Sequence, residues 1–280
     1  MKLLYVTDIH GIEWKHNKIF EIADSLKIDL VINGGDILPF KGNLMNQDKF
    51  ITGYLDDYFK KFEEKEIYYI GLLGNDDLDI FDDLFQKTCE KYLHVANIAQ
   101  RLFQIPDSKY EFIGMNWVSD LPFGLKDRAR RDSKDFKHPK QRGKQYLSTP
   151  NGFKRIEDWI SYAAKLPTIE DELRNLVKPT NMSNAIYIFH NPPANLDLDV
   201  TYKGLKVGSK AEHAFLKKNQ PLLSLHGHIH ESPDVSRYWF SQLGRTVCIQ
   251  PGQSHQHENF LIYVVIDLES MNFERKIAYI

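Results

Sequence analysis

Short apolar runs alternate with longer amphipathic ones through the first half of the chain. Residues 2–7, 30–33 and 66–73 are nearly continuous apolar stretches of strand length, the pattern expected of strands buried on both faces. Residues 15–27, 47–64 and 77–92 instead repeat their apolar positions at helical spacing. Strands alternating with helices predict a largely parallel sheet joined by helical crossovers. Residues 109–118 and 185–189 read as further strands, and the last third is strand-rich, at 221–226, 245–250, 259–268 and 272–280, with one helix near 209–218. Between them 119–180 is polar and basic and carries Pro122, Pro139, Pro150 and Pro167. It reads as an insertion with helices near 154–166 and 168–177, within a single domain spanning 1–280, because its apolar content is too thin for a core of its own. No repeat or low-complexity tract interrupts the pattern, and a mixed α/β layer structure with two sheets is the simplest architecture.

Composition narrows the class. With 280 residues, 42% hydrophobic and 26% charged, and a formal net charge of −2, the chain has ample material for a core and is neither disordered nor a small stapled scaffold. Only Cys89 and Cys248 occur, far apart, which excludes a disulfide framework and a cysteine-rich zinc module. No window approaches the roughly 18 to 20 apolar residues of a membrane span. The start is too brief for a secretory apolar region, so a soluble, reduced, cytoplasmic setting is expected. The sequon Asn181-Met182-Ser183 is then incidental. Two patches hide behind the average: residues 126–155 hold six Lys and five Arg against three Asp, and 46–85 hold eleven acids against four Lys. Such asymmetry bears on partners rather than fold.

The candidate chemistry sits where predicted strands end. Asp8-Ile9-His10 closes the first, Gly34-Gly35-Asp36 the second, Gly74-Asn75-Asp76-Asp77 the third, His190-Asn191-Pro192-Pro193 a later one and His226-Gly227-His228-Ile229-His230 another. In open α/β sheets ligands bind beyond the carboxyl ends of strands, so the five clusters are expected to converge. In extended chain, residues i and i+2 share a face; Asp8 and His10 would then grip one ion with Ile9 turned to the core, and His228 and His230 would flank it with Ile229 inward. Imidazole, carboxylate and amide oxygen suit Mn, Fe, Zn, Co or Ni better than Mg or Ca, and seven donors are too many for one tetrahedral ion. The set suits two divalent metal ions, with Mn the first choice.

In this order the motifs resemble those of the calcineurin-like metallophosphoesterases, D-x-H, G-D, G-N-H-D/E, H and G-H-x-H. Each motif alone is weak; five in sequence, each after a predicted strand, are strong. The resemblance implies a four-layer α-β-β-α sandwich, two mixed β-sheets flanked by helices. It implies that Asp8, His10 and His230 hold one metal, that Asn75, His190 and His228 hold the other, and that Asp36 bridges them. It further implies a dinuclear phosphoesterase in which a hydroxide shared by the ions attacks a small phosphorylated substrate. A phosphodiester or nucleotide is the first choice, and a nuclease acting on polynucleotide or a non-catalytic scaffold relative are the alternatives.

One position departs from that pattern. Asp76 stands where the family often has a His that helps the leaving group depart. Beside two cations an Asp is ionised and a poor acid, so good leaving groups are expected, or another donor, for which His255 and His257 are the candidates. Arg128 and Arg131, in the basic stretch, are the candidate phosphate contacts. Nucleic acid is the less favoured partner, because aromatic interleaving is sparse. His226 is expected to orient a ligand or sit in the core, and His16, His94, His138 and His213 to lie at the surface. Asp77, Asp79, Asp82 and Asp83 read as the acidic first turn and exposed face of a helix. The metallo-β-lactamase pattern H-x-H-x-D-H and a complete phosphate-binding loop are both absent from the sequence.

Overall fold

The apolar runs become strands, and their alternation decides which layer each side chain enters. The computed structural model describes residues 1–254 and 259–280. In it β1 (Lys2–Val6), β2 (Leu30–Asn33), β3 (Tyr68–Gly71) and β4 (Val95–Asn97) run parallel, with Leu3 opposite Leu30 and Leu30 opposite Tyr68. On the other side of β1 lie β15 (Phe260–Asp267) and then β16 (Asn272–Tyr279), both antiparallel to their neighbours, giving the order β16-β15-β1-β2-β3-β4.

A second six-stranded sheet combines β5 (Leu102–Phe103), β6 (Glu111–Met115), β11 (Ala185–Phe189), β12 (Leu223–His226), β13 (Phe240–Leu243) and β14 (Thr246–Ile249) in the order β13-β14-β12-β11-β6-β5. Its central strands β6, β11, β12 and β14 are parallel. Leu3 and Tyr5 point into the core between the sheets with Ile186, Ile188, Leu223 and Leu225. Leu4 and Val6 point the other way, against Ile19, Phe59, Phe62 and Phe85 of the helices Glu13–Leu26, Asp56–Lys65 and Asp82–Cys89. Across the molecule Tyr187 and Phe189 pack with Leu173 and Leu216 of the helices Ile169–Asn175 and Lys210–Asn219. Helix, sheet, sheet, helix is the expected four-layer sandwich. Each fully buried Leu, Ile or Phe in it contributes about 1.5–3 kcal/mol.

Differences from the sequence pattern are local. The helix expected from 154 is preceded by a hairpin, β9 (Gln145–Thr149) paired with β10 (Gly152–Ile156), and helix starts only at Trp159. Pro150-Asn151 forms the two-residue turn between paired Thr149 and Gly152, and Gly152 enters β10 at φ 116°, so the chain folds back on itself before a helix can nucleate. The strands β4, β5 and β13 went unread because two to four residues carry too little periodicity. In the 119–180 segment, β7 (Val118–Ser119) and β8 (Ala129–Arg130) pair in parallel, and Ala129, Ile156, Trp159 and Ala163 form a small core. Among the described residues no helix is long and apolar enough to cross a membrane.

Candidate metal centre

The loops that follow β1 and β2 continue side by side after the strands stop. Asp8 N–H donates to Gly35 O (2.9 Å), His10 N–H to Asp36 O (2.8 Å) and Gly11 N–H to Ile37 O (2.9 Å). This pairing holds a backbone that strand geometry does not supply: Asp8, His10 and Asp36 have positive φ, at 58°, 51° and 53°, and so does His228 (67°) in the loop after β12, whose N–H donates to Asp8 Oδ1 (3.1 Å). For non-glycine residues this region costs of order 1–3 kcal/mol each and persists where the surroundings enforce it. Strand alternation is therefore not what aims Asp8 and His10, although Ile9 and Ile229 are buried as expected. Gly35 has φ 118°, which a side chain would resist. At Gly74 the reason for glycine is close approach, since a Cβ there would collide with the Asp36 carboxylate and backbone nitrogen.

The seven predicted donors are brought together in two groups. Asp8 Oδ1 lies 3.3 Å from His230 Nε2, and His230 Nε2 lies 3.3 Å from His10 Nε2. One donor atom from each of Asp8, His10, Asp36 and His230 falls within 4.8 Å of the others, a spacing one ion spans. In the second group Asn75 Oδ1 is 3.0 Å from His190 Nε2, and the His190 and His228 rings are 5.4 Å apart. Asp36 Oδ2 is 3.9 Å from His10 Nε2 and 3.4 Å from His190 Nε2, so one oxygen faces both groups. His190 Nδ1 is 2.8 Å from Gly34 O, a contact that directs Nε2 toward the donors.

Their electrostatics couple buried carboxylates to neighbouring imidazoles. Burial pushes the Asp8 carboxyl up, but His230 and His190 outweigh it and hold it at about 2. At Asp36 burial is likewise overcome, by His190 and His10, and the carboxyl sits well below its usual range. Burial opposes charge on His190, yet Asp36 and Asp8 raise it to about 9. His228 is pushed down to about 3 by burial and by His190, so it stays neutral, as a ligand must. Asp8 Oδ2, Asp36 Oδ2 and His228 Nε2 are buried without a hydrogen-bond partner among the described residues. Buried polar atoms are normally satisfied, and two carboxylate oxygens beside an imidazole nitrogen form a donor set that fits divalent ions. Half-buried Asp76 is pushed up to about 7, first by desolvation and then by Asp36; the expected lowering refers to the ion-loaded site. Its Oδ2 is 3.9 Å from His10 Nδ1, and its N–H donates to Asp36 Oδ1 (2.8 Å).

Several expectations are corrected. Asp77 is not on a helix face. It is fully buried and accepts from Ile37 N (3.0 Å), Leu38 N (2.8 Å) and Gly74 N (2.7 Å), clamping the Asp36 loop to the Asn75 loop. Asp79 lies before the helix Asp82–Cys89 and accepts from Ser148 Oγ (2.7 Å), whereas Asp82 and Asp83 do form that helix's acidic first turn, and Asp82 in addition pairs with Arg128 at both oxygens. Arg128 is thereby fully buried and committed to bracing the loop after β3, its Nε 3.4 Å from Gly74 O, rather than open to phosphate. Half-buried Arg131 donates to Ala164 O (2.9 Å) and Lys134 O (3.4 Å), within its own segment.

His16 is buried among Phe50, Tyr54 and Tyr58, and His138 bonds to buried Asp120 at 2.7 Å. His226 is a core residue: its Nδ1 is 3.0 Å from Asn191 O and its Nε2 is 2.8 Å from Ser224 Oγ. His255 and His257 lie outside the described residues. Sequence reasoning missed Gln250, whose Nε2 donates to Gly227 O (2.8 Å) and Ile229 O (2.9 Å) and so holds the His228 loop. It also missed Phe40 and Phe123, whose rings lie 4.5 Å from His10 and 6.0 Å from His228. A polar residue closing a strand just before Pro251-Gly252 is the only signal for Gln250; nothing local marks the two rings.

A four-layer α/β sandwich thus carries, beyond its strand ends, a buried Asp/His cluster whose donors fit divalent ions. The chain belongs to the calcineurin-like phosphoesterase family, whose model matches residues 1–232. Its fold is similar to that of TT1561 of Thermus thermophilus, at 16% identity and TM-score 0.58 over 98% of this chain and 97% of that one. It is also similar to a dimetal phosphatase from Danio rerio (8%, TM-score 0.54, covering 100% and 96%) and to GAP50 of Plasmodium (10%, TM-score 0.50, covering 100% and 84%). A search of curated proteins finds no match.

Proposed function

We propose that this metallophosphoesterase hydrolyses phosphodiesters or nucleotides with two divalent ions, manganese first, in a single domain spanning 1–280 that works in the cytoplasm. The observation that carries the reading is the Asp36 oxygen that faces both donor groups. Asp8, His10 and His230 would hold one ion and Asn75, His190 and His228 the other, with Asp36 between them. Ions held there would supply Lewis acidity toward phosphoryl oxygens and activation of water at neutral pH. The chain's own residues do the rest. Asp8 and Asp36 offset the metal charge, the Gly34 carbonyl and Gln250 hold ligand-bearing loops in place, and Asp77 sets the distance between the Asp36 and Asn75 loops.

Asp76, beside His10, replaces the histidine that assists departure in the family pattern. The substrate is accordingly an ester with a good leaving group, or the proton comes from His255 or His257. Asp76→His is expected to raise turnover on poor leaving groups; equal rates across a leaving-group series count against this assignment. The main experiment assays phosphomonoesters, phosphodiesters and nucleotides after reconstitution with manganese, with the metal-free protein as control and metal content measured. Diester turnover at about two equivalents of metal supports the reading, and inactivity at full loading overturns it.

Polynucleotide is a second reading, favoured by the exposure of Lys134, Lys137, Lys140, Arg142 and Lys144. Binding that weakens steeply with salt would mark it. A scaffold role, in the way that GAP50 is described as an anchor, is disfavoured because none of the seven donors is missing.

A further inference from the structure

We infer that the outer edge of β16 is a self-complementary interface at which a second copy of this chain adds its own β16, so that the sheet continues across a two-fold axis. The inference goes beyond the phosphoesterase reading and does not depend on it. The other sheet edges are blunted by shortness, since β4, β5 and β13 hold three, two and four residues. β16 has eight, Asn272–Tyr279, without proline or glycine, and its pairing with β15 runs unbroken from Phe260 opposite Tyr279 to Asp267 opposite Asn272. No bulge turns this edge away.

Ile280 N–H donates to Asn259 O (3.2 Å), which fixes the alternation along the strand: the even-numbered residues of β16 bond to β15, and Phe273, Arg275, Ile277 and Tyr279 turn their N–H and C=O groups outward. Among the described residues no hydrogen bond reaches those outward groups. An antiparallel copy centred on Arg275 sets Phe273 opposite the partner's Ile277 and Glu274 opposite the partner's Lys276, each twice by symmetry. The Phe273 and Ile277 pairs lie on the face toward the second sheet. There Phe273 packs on the core, while Ile277 and Tyr279 are 45% and 64% exposed and gain cover from the copy. The Glu274 and Lys276 pairs lie on the helix face; within one protomer the two side chains meet at 2.7 Å, and the copy gives each a second partner of opposite sign. Arg275 meets its own copy, but its Nε donates to Pro251 O (2.7 Å), which draws each guanidinium into its own protomer. Moving the centre by one residue either way sets Glu274 or Lys276 against its own copy, so charge selects the central register.

Sedimentation and light scattering on the full chain over a range of concentrations read the association. A concentration-dependent species of twice the chain's 32.7 kDa is expected, and a monomer at every concentration overturns the inference. Ile277→Pro removes an outward N–H and no bond to β15, so it is expected to raise the dissociation constant at least about tenfold in a chain that circular dichroism shows folded. Glu274→Lys and Lys276→Glu, both at exposed positions, are each expected to weaken self-association about tenfold, because attractive pairs become repulsive. Mixed in equal amounts, these two variants regain the attraction and are expected to form a heterodimer of near wild-type affinity. The charge variants carry the decision if Ile277→Pro unfolds. A dimer that tolerates the proline and both charge reversals lies at another surface and overturns the interface. Charge variants that weaken the dimer singly and do not associate when mixed overturn the register.

Discussion

The donor cluster and the interior of the 119–180 segment both bury charged side chains, and they satisfy them in opposite ways. Asp120 is fully buried, and its oxygens accept from Lys126 Nζ (2.6 Å), Gln141 Nε2 (2.9 Å) and Trp159 Nε1 (3.0 Å), with His138 Nδ1 at 2.7 Å. Lys126 also donates to Leu121 O (2.6 Å) and lies between the rings of Phe123 and Trp159, 4.9 and 5.3 Å from their centroids. That network carries its own cation and is closed. At the rim, Asp8 Oδ2, Asp36 Oδ2 and His228 Nε2 are each buried without a hydrogen-bond partner among the described residues. Both regions hold Asp and His, so residue type does not separate a binding site from a structural polar core. What separates them is how the carboxylates are satisfied: Asp120 by a lysine and three further polar groups, Asp8 and Asp36 by imidazoles that leave an oxygen of each without a hydrogen bond.

The comparison breaks first at Asp36. Asp36→Ala removes the oxygen that faces both donor groups. Because bound ions stabilise the transition state by several kcal/mol, turnover should fall by roughly 10³-fold or more. Metal content and diester hydrolysis check this, and the melting temperature of the metal-free protein should not fall. Asp120→Ala is the converse. It strands a buried lysine, which costs about 3–5 kcal/mol of stability. Denaturant unfolding reads that loss, while metal content per folded molecule stays at the wild-type value; an unchanged unfolding midpoint would remove the distinction between the two regions.

Smaller changes sharpen it. Asp77→Asn keeps the shape but gives the Ile37 and Gly74 N–H groups an amide nitrogen or a weaker acceptor in place of a carboxylate oxygen. Manganese affinity should weaken about 10–100-fold, the usual cost of disturbing a ligand's support, with little change in global stability. Calorimetric titration of the metal measures it. The mildest effect concerns two buried core histidines outside both regions. Burial pushes His16 and His226 down to about 4, below the unfolded value of 6.5. The unfolded chain therefore binds protons first as pH falls, and their share of stability is whole above about 6.5 and is lost progressively toward 4. By pH 5.5 each costs about 1.4 kcal/mol. His16→Phe should flatten that acid slope by one histidine's share; an unaltered slope would show that His16 is protonated within the fold.

Much of the centre was legible because its chemistry is written in adjacent residues. Asp8, His10, Asp36, Asn75, His190, His228 and His230 all follow strands, and the parallel sheets bring strand ends to one edge. The alternation of β1 between two cores was equally open to reading, since Leu3 and Tyr5 separate from Leu4 and Val6 by period alone. The basic segment was not. Arg128 and Lys126 look like solvated cations in one dimension and are buried in three, because their partners Asp82 and Asp120 are identified only by folding.

The sequence by itself determined the layered α/β architecture and marked the candidate donors, since apolar period and ligand chemistry are local properties. Tertiary structure alone decided which charged side chains are fully hydrogen-bonded, like Asp120, and which keep a buried oxygen without a partner among the described residues, like Asp8 and Asp36. It also decided that left-handed backbone, held by the paired loops after β1 and β2, aims Asp8 and His10. Both depend on contacts between residues far apart along the chain, where no pattern of neighbours records them.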